Sequence, residues 1–253
     1  MSEPIVDILW EEGPCLVVNK PPGLSTQAPP GIDSLEVRVR TLLECRAGRE
    51  TGTGLFRDLP TTAVYLGVPH RLDRPASGAL VFATRRKAAQ RLSRQFERRQ
   101  VGKSYWACVA GMLPAESGTW EDYLRKVSDE PRAEIVGPDH PQGRLAVLHY
   151  QVLATAAWGS WLEITLQTGR FHQIRLQAAS RGFPILGDAQ YGSAVPFGPP
   201  QDDWRQRPIA LHARRLEFLH PISREPVAVT APVPDFWPEI TRDGGGRRGG
   251  IVE

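Results

Sequence analysis

The chain has 253 residues, of which 41% are hydrophobic and 23% charged, with a formal net charge of +3. This is the balance of an ordinary globular protein, able to bury roughly 70–75% of its unfolded surface. No apolar run reaches the ~18 residues of a membrane span, and the start, Met1 to Asp7, lacks the basic-then-apolar pattern of a signal peptide.

Residues 8–20 (ILWEEGPCLVVNK) predict two strands joined by a Gly13-Pro14 turn, and Pro21-Pro22-Gly23 ends the second. Ser34 to Leu43 has helical spacing, with Leu35, Val39 and Leu42/Leu43 on one face and Asp33 or Ser34 as the N-cap. Residues 46–68 carry scattered Gly and Pro without a period and read as a long loop. Ala79 to Ala83 is a short, buried type of strand. Ala88, Leu92 and Phe96 then recur every four residues, so the basic segment 85–103 is expected to be an amphipathic helix with its charges outward.

Tyr105–Ala110, Ala133–Val136, Ala146–Leu153 and Trp161–Leu166 read as strands, and His172–Arg181 as a short helix. Pro184–Tyr191 is a turn-rich loop and 194–208 is Pro-rich and irregular. Leu211–Leu219 and Val227–Thr230 are late strands, and the Gly- and Arg-rich tail 239–253 is expected to be disordered. Short strands in runs with a few helices argue for a single α+β domain over residues 1–238, built on a mostly antiparallel mixed sheet flanked by helices and loops.

The three cysteines, Cys15, Cys45 and Cys108, are widely spaced, which argues against a disulfide framework and suits a reducing cytoplasm. No CxxC pair or HExxH spacing offers a metal site, and no GxSxG elbow is present. Gly102-Lys103-Ser104 imitates the end of a phosphate-binding loop, but the first glycine of that motif would fall on Glu97. Charge is concentrated from Arg85 to Lys103, where eight Lys or Arg stand against one acid, Glu97. That density suits a polyphosphate partner, whose counterions are released on neutralisation. A solvated helix face is the competing explanation.

Four separated segments carry the chemistry. They are Val17-Val18-Asn19-Lys20-Pro21-Pro22-Gly23, the stretch HRLDRPASGALVFA (70–83), Lys103-Ser104-Tyr105-Trp106-Ala107, and Thr168-Gly169-Arg170-Phe171-His172-Gln173-Ile174-Arg175 followed by Gly187-Asp188-Ala189-Gln190-Tyr191-Gly192. Together and in this order they resemble the RluA-type pseudouridine synthases of the RsuA/RluA superfamily, over roughly residues 8–233. The resemblance implies an enzyme that isomerises specific uridines to pseudouridine in structured ribosomal or transfer RNA, without metal or organic cofactor and without an evident obligatory protein partner. The small S4-type domain that many such proteins carry at the N-terminus is not expected here.

The resemblance also implies roles. The target uridine must be flipped out of folded RNA, at about a few kcal/mol. Arg71 matches the arginine that fills the vacated space, and Asp73 the carboxylate that acts as nucleophile or base at the ribose. A carboxylate in a partly dry pocket needs a nearby cation to stay ionised, and Arg175 matches that cation. Tyr105 would stack on the uracil and assist proton removal from its carbon 5. Arg170, Lys103, Arg94 and Arg98 are the expected RNA-binding cations. His70, Leu72, Ser77, Gly78 and His172 are expected to support the loop, Gly78 by permitting a tight turn.

Two departures stand out: Ala76 replaces a usual threonine and Gln177 a common histidine. Two other readings stay open, an RNA-binding protein that kept the fold and lost the chemistry, and a hydrolase that releases free base.

Overall fold

The computed structural model describes residues 6–47 and 64–238. Most of the expected 46–68 loop and the whole 239–253 tail lie outside the described residues. The first hairpin forms as the sequence predicts, β1 (Asp7–Glu12) pairing antiparallel with β2 (Cys15–Lys20). Helix α1 (Leu35–Arg46) follows. Its cap is Ser34, whose hydroxyl accepts the Val37 amide at 3.3 Å, while Asp33 instead pairs with Arg38.

The remaining elements are β3 (Ser77–Ala83), α2 (Arg86–Glu97), β4 (Gly102–Ala110), β5 (Ser117–Lys126), β6 (Ala133–Val136), β7 (Arg144–Ala156), β8 (Gly159–Leu166), α3 (Gln173–Ser180), β9 (Leu211–Leu219) and β10 (Pro226–Thr230). They build one ten-stranded sheet in the order β1-β2-β3-β9-β4-β8-β7-β5-β6, with β10 beside β9. Among the described residues, β3 with β9 is the one parallel pair of strands, and it spans just Ser77–His212 and Gly78–Ala213. Beyond that point β9 turns to β10, pairing Arg215 to Leu219 with Thr230 to Pro226. The expected mostly antiparallel α+β architecture is therefore observed.

Period-two alternation along β2 divides the core between the two faces of the sheet. Leu16 and Val18 join a large cluster with Leu80 and Phe82 of β3, Leu35 and Val39 of α1, and Ile174 and Ala178 of α3. Cys15 and Val17 join a second cluster with Ala79, Val81, and Ala88 and Leu92 of α2. With helices on both faces, β3 is buried from end to end, which explains its unbroken apolar sequence.

The basic segment is not one helix to residue 103. Helix α2 stops at Glu97, and Arg99 takes a left-handed φ of 56°, its amide bonded to the Phe96 carbonyl at 3.1 Å. The chain then enters β4, so Lys103 sits on a strand. Gly78 also differs in its reason. It lies within β3 at φ +115°, and a Cβ there would come within 2.4 Å of the Ala213 carbonyl oxygen. The glycine is demanded by close approach of two strands rather than by a turn. Among the described residues, no helix is long and apolar enough to cross a membrane.

Candidate active site

The segment between residues 64 and 76 runs beside β3 where β9 has left it. That position exposes backbone groups of β3 that need partners, and the segment supplies them. Gly67 pairs with Ala83, its amide donating to the Ala83 carbonyl at 2.7 Å and its carbonyl accepting in return at 3.0 Å. His70 Nε2 accepts the amide of Val81 at 3.1 Å, and its ring stacks on Phe96 of α2 with centroids 4.4 Å apart. Burial, helped by the charge of Lys103, lowers the His70 pKa to about 3, so the ring stays neutral and able to accept.

The loop that follows is pinned at almost every residue. Thr26 Oγ1 accepts the Leu72 amide at 3.1 Å and donates to the Leu72 carbonyl at 2.9 Å. The Arg74 carbonyl accepts from the Gly23 amide at 2.8 Å and from Lys20 Nζ at 3.0 Å. Lys20 is fully buried at the end of β2, and its ammonium also donates to the carbonyls of Leu24 at 2.7 Å and Pro21 at 2.9 Å. The Pro75 carbonyl accepts the Ile209 amide at 3.2 Å. Ser77 Oγ is 2.8 Å from Nδ1 of the buried His212, whose Nε2 lies 3.2 Å from the Ala231 carbonyl. A carbonyl can only accept, so Nε2 carries the hydrogen and Ser77 donates to Nδ1. Between these anchors the Asp73 side chain is left free to face solvent, 25% exposed.

Asp73 opens onto a cavity of about 1140 Å³. Arg175, from the first turn of α3, reaches it with Nη1 at 3.5 Å from Asp73 Oδ2. The guanidinium is otherwise committed: Nε and Nη2 donate to Asp188 at 2.6 and 2.7 Å, and Nη2 donates to Gln190 Oε1 at 2.8 Å. Burial works against this charge, but the bonds and the negative charge of Asp188 outweigh it and raise the Arg175 pKa.

His172, in the left-handed region at φ 52°, accepts from Arg175 Nη1 at Nε2, 3.1 Å away. A guanidinium has no acceptor, so the His172 proton must lie on Nδ1, from which it bonds Tyr191 Oη at 2.9 Å. Burial lowers the His172 pKa to about 4 against the pull of Asp73, which keeps that tautomer neutral. Tyr191 Oη also accepts the Ala133 amide at 2.9 Å. The ring of Tyr191 lies under Arg175, 5.0 Å from centroid to guanidinium carbon.

Tyr105, buried on β4, lines the same cavity. Burial, then the charge of Asp73, pushes its phenol above the usual range. The structure thus brings Asp73, Tyr105 and Arg175 to one cavity, together with Arg71, Lys103, Arg170, His70, Leu72 and His172. Arg94 and Arg98 do not line it; they are exposed on the last turn of α2 and at its cap. Ser77 and Gly78 lie behind the loop, in β3.

The departures have structural answers. Ala76 is buried at the cavity wall, its amide donating to the Asp73 carbonyl at 3.1 Å. Gln177 does not line the cavity. Its amide donates to Asp122 at 2.7 Å, in a network that Arg181 joins at 2.8 Å. Sequence reasoning missed Thr26, and gave no role to Lys20, Asp188, Gln190 or Tyr191. The GDAQYG segment is a motif, but nothing in its spacing says that its acid clasps Arg175. Among the described residues, no group of three or more His, Cys, Asp or Glu gathers at a point that could hold a metal ion.

Residues 14–180 match a family profile described as RNA pseudouridylate synthase. The chain is 36% identical over 241 residues to a ribosomal large subunit pseudouridine synthase D of Xanthomonas campestris, covering 91% of this chain and 66% of that protein. It is 33% identical over 231 residues to an uncharacterized RNA pseudouridine synthase, YhcT, of Bacillus subtilis, covering 90% of this chain and 69% of that one. Among solved structures, human RNA pseudouridylate synthase domain containing 4 superposes with a TM-score of 0.70 at 24% identity, over 91% of this chain and 89% of that one, which is a likeness of fold.

Proposed function

The chain belongs to the RNA pseudouridylate synthase family, and from that premise we propose that it isomerises particular uridines of structured RNA to pseudouridine. The observation that carries this reading is the Asp73 carboxylate, held on a pinned loop 3.5 Å from a buried arginine and facing a cavity whose lining cations outnumber its carboxylates six to two. Relatives named for the ribosomal large subunit make large-subunit ribosomal RNA the first substrate pool to assay, with transfer RNA as the second. The three free thiols suit a reducing cytoplasm.

In the proposed reaction the uridine leaves the RNA stack and enters the cavity, and exposed Arg71 fills the space it vacates. Asp73 acts at the ribose as nucleophile or base, and the bond from N1 to the ribose carbon breaks. The uracil keeps that electron pair and stays against Tyr105. It turns, carbon 5 bonds to the ribose carbon, from which Asp73 departs with its electron pair where it has added as nucleophile, and the proton on carbon 5 leaves while N1 gains one. Arg175 orients Asp73 across the 3.5 Å contact, and His172 and Asp188 hold Arg175. His70, Leu72, Ser77 and Gly78 keep the loop in place. Lys103 and Arg170 contact the RNA backbone, and Arg94 and Arg98 add attraction from outside the cavity. As proposed, these steps draw on no metal or organic cofactor.

The test is release of tritium from RNA labelled at carbon 5 of uridine, with the Asp73→Asn chain alongside. Release that vanishes in Asp73→Asn while RNA binding persists supports the reading. Turnover that survives the substitution overturns the role of Asp73, and free uracil in place of pseudouridine makes the chain a hydrolase.

A further inference from the structure

The cavity wall carries charge that the proposed reaction does not consume. Arg71, Arg74, Arg99, Lys103, Arg170 and Arg175 line it, against the carboxylates of Asp73 and Glu97. Arg175 is taken up by Asp188 and Asp73, and Arg71 and Arg74 belong to the loop. The other three gather on one side, and Arg144 joins them just beyond the lining.

Four different elements deliver these four cations. Arg99 leaves the end of α2 in its left-handed turn. Lys103 is the second residue of β4, and its ammonium lies so close to Gly169 that a Cβ there would be 3.2 Å away. Arg170 is the next residue along, and its Nε donates to the Leu145 carbonyl at 2.9 Å. That bond draws its guanidinium to the start of β7, where Arg144 is the first residue.

Among the described residues, none of the four forms an ion pair with a carboxylate, Glu97 included. They do feel each other. Burial and then Arg99 lower the pKa of Lys103; burial, Arg99 and Arg144 lower that of Arg170. Like charges crowded on a partly dry rim raise the energy of the empty protein, and an anion among them relieves it.

We infer that Arg99, Lys103, Arg144 and Arg170 form a clamp for the phosphodiester backbone of the RNA strand that carries the target uridine. The clamp rests on the reading of this chain as an RNA-modifying enzyme, and it places the direct phosphate contacts at the cavity rim, leaving the outer face of α2 to add longer-range attraction. It also singles out Arg99 from the basic segment 85–103 and gives Arg144 a role that the sequence did not suggest. Contacts of this kind fix position and register without reading sequence.

The test is the salt dependence of binding between the full chain and a fluorescein-labelled oligouridylate, measured by anisotropy. Each neutralised phosphate of a single strand contributes about 0.7 to the slope of log K against log salt. Arg99→Gln/Arg144→Gln should therefore flatten the slope by about 1.4 and weaken binding at moderate salt. Arg85→Gln/Lys87→Gln removes the same net charge from the far end of α2 and should leave the slope as it was. An unchanged slope in the rim variant, or an equal loss in both, overturns the clamp. Turnover is scored separately: binding with the expected slope but no tritium release would fail the enzymatic reading and spare the clamp, whereas release with an unaltered slope would fail the clamp alone.

Discussion

Arg175 gives two of its nitrogens to Asp188 before it reaches Asp73. Nε and Nη2 lie 2.6 and 2.7 Å from the Asp188 carboxylate, leaving Nη1 directed at Asp73 Oδ2, 3.5 Å away. Both partners of the tight pair are almost wholly buried, at 3% and 1% side-chain exposure. The bidentate clasp fixes the plane of the guanidinium, and through it the distance to Asp73.

Asp188→Asn should therefore affect both stability and turnover. It removes the compensating charge from a buried arginine, a loss on the order of 3–5 kcal/mol, read as a lower urea midpoint at unchanged slope. Tritium release should fall too, because an amide cannot accept two parallel N–H bonds. Normal turnover in a chain destabilised to this degree would show that Asp188 supports the fold and not the site.

Lys20 makes a second prediction. Its ammonium donates to three carbonyls, one of them on the residue after Asp73. Lys20→Met fills similar volume but strips those acceptors of their donor, at about 1–3 kcal/mol for each one left unsatisfied, so stability and turnover should both fall. The pH dependence distinguishes the charge from the volume. Burial lowers the folded pKa to about 7, against opposition from Asp73, whereas the unfolded lysine titrates near 10.4. Below pH 7 both states hold the proton and the burial penalty is present in full. Above it the folded chain releases the proton first, so stability rises with pH. The advantage of wild type over Lys20→Met should accordingly widen from pH 7 to 10; a gap that narrows would reverse the sign.

What the sequence made legible was what repeats or announces itself locally. Ser34 before an apolar helical spacing, the alternation in β2 and the unbroken run in β3 each map onto an observed element. The separated motifs correctly pointed Asp73, Tyr105 and Arg175 to one place. What stayed illegible depends on partners far along the chain. The three acceptors of Lys20 include one 54 residues away, and the clasp on Arg175 comes from a loop 13 residues on. The end of α2 was misplaced because Arg98-Arg99-Gln100 contains no glycine or proline to signal the left-handed turn that Arg99 makes.

Three histidines with lowered pKa values shape the acid limb of stability. Burial is the largest cause in each case, lowering His70 to about 3 and His172 and His212 to about 4. In the unfolded chain each would titrate near 6.5. Between that value and the folded pKa the unfolded state binds a proton that the folded state refuses, so stability is lost as pH falls. The loss should approach about 1.4 kcal/mol per pH unit for each histidine, set in below pH 6.5 and continue to pH 4. Urea midpoints across that range would show it, and His212→Gln should make the decline shallower. A midpoint flat from pH 6.5 to 4 would mean that these rings are charged in the folded chain.

Tyr105 supplies the sharpest test of the chemistry at carbon 5. Burial and the charge of Asp73 push its phenol above the usual range, so the hydroxyl keeps its proton at neutral pH and cannot stand ready as a phenolate base. It can stack, donate a hydrogen bond or relay a proton to a neighbouring oxygen. Tyr105→Phe keeps the ring and removes the hydroxyl, whereas Tyr105→Leu removes the aromatic face as well. If the hydroxyl relays the proton, Tyr105→Phe should bind RNA normally and slow tritium release by about 10²-fold or more. If stacking is its whole contribution, Tyr105→Phe should turn over like wild type and Tyr105→Leu alone should be impaired. Neither outcome calls on the Tyr105 phenolate, whose formation burial opposes.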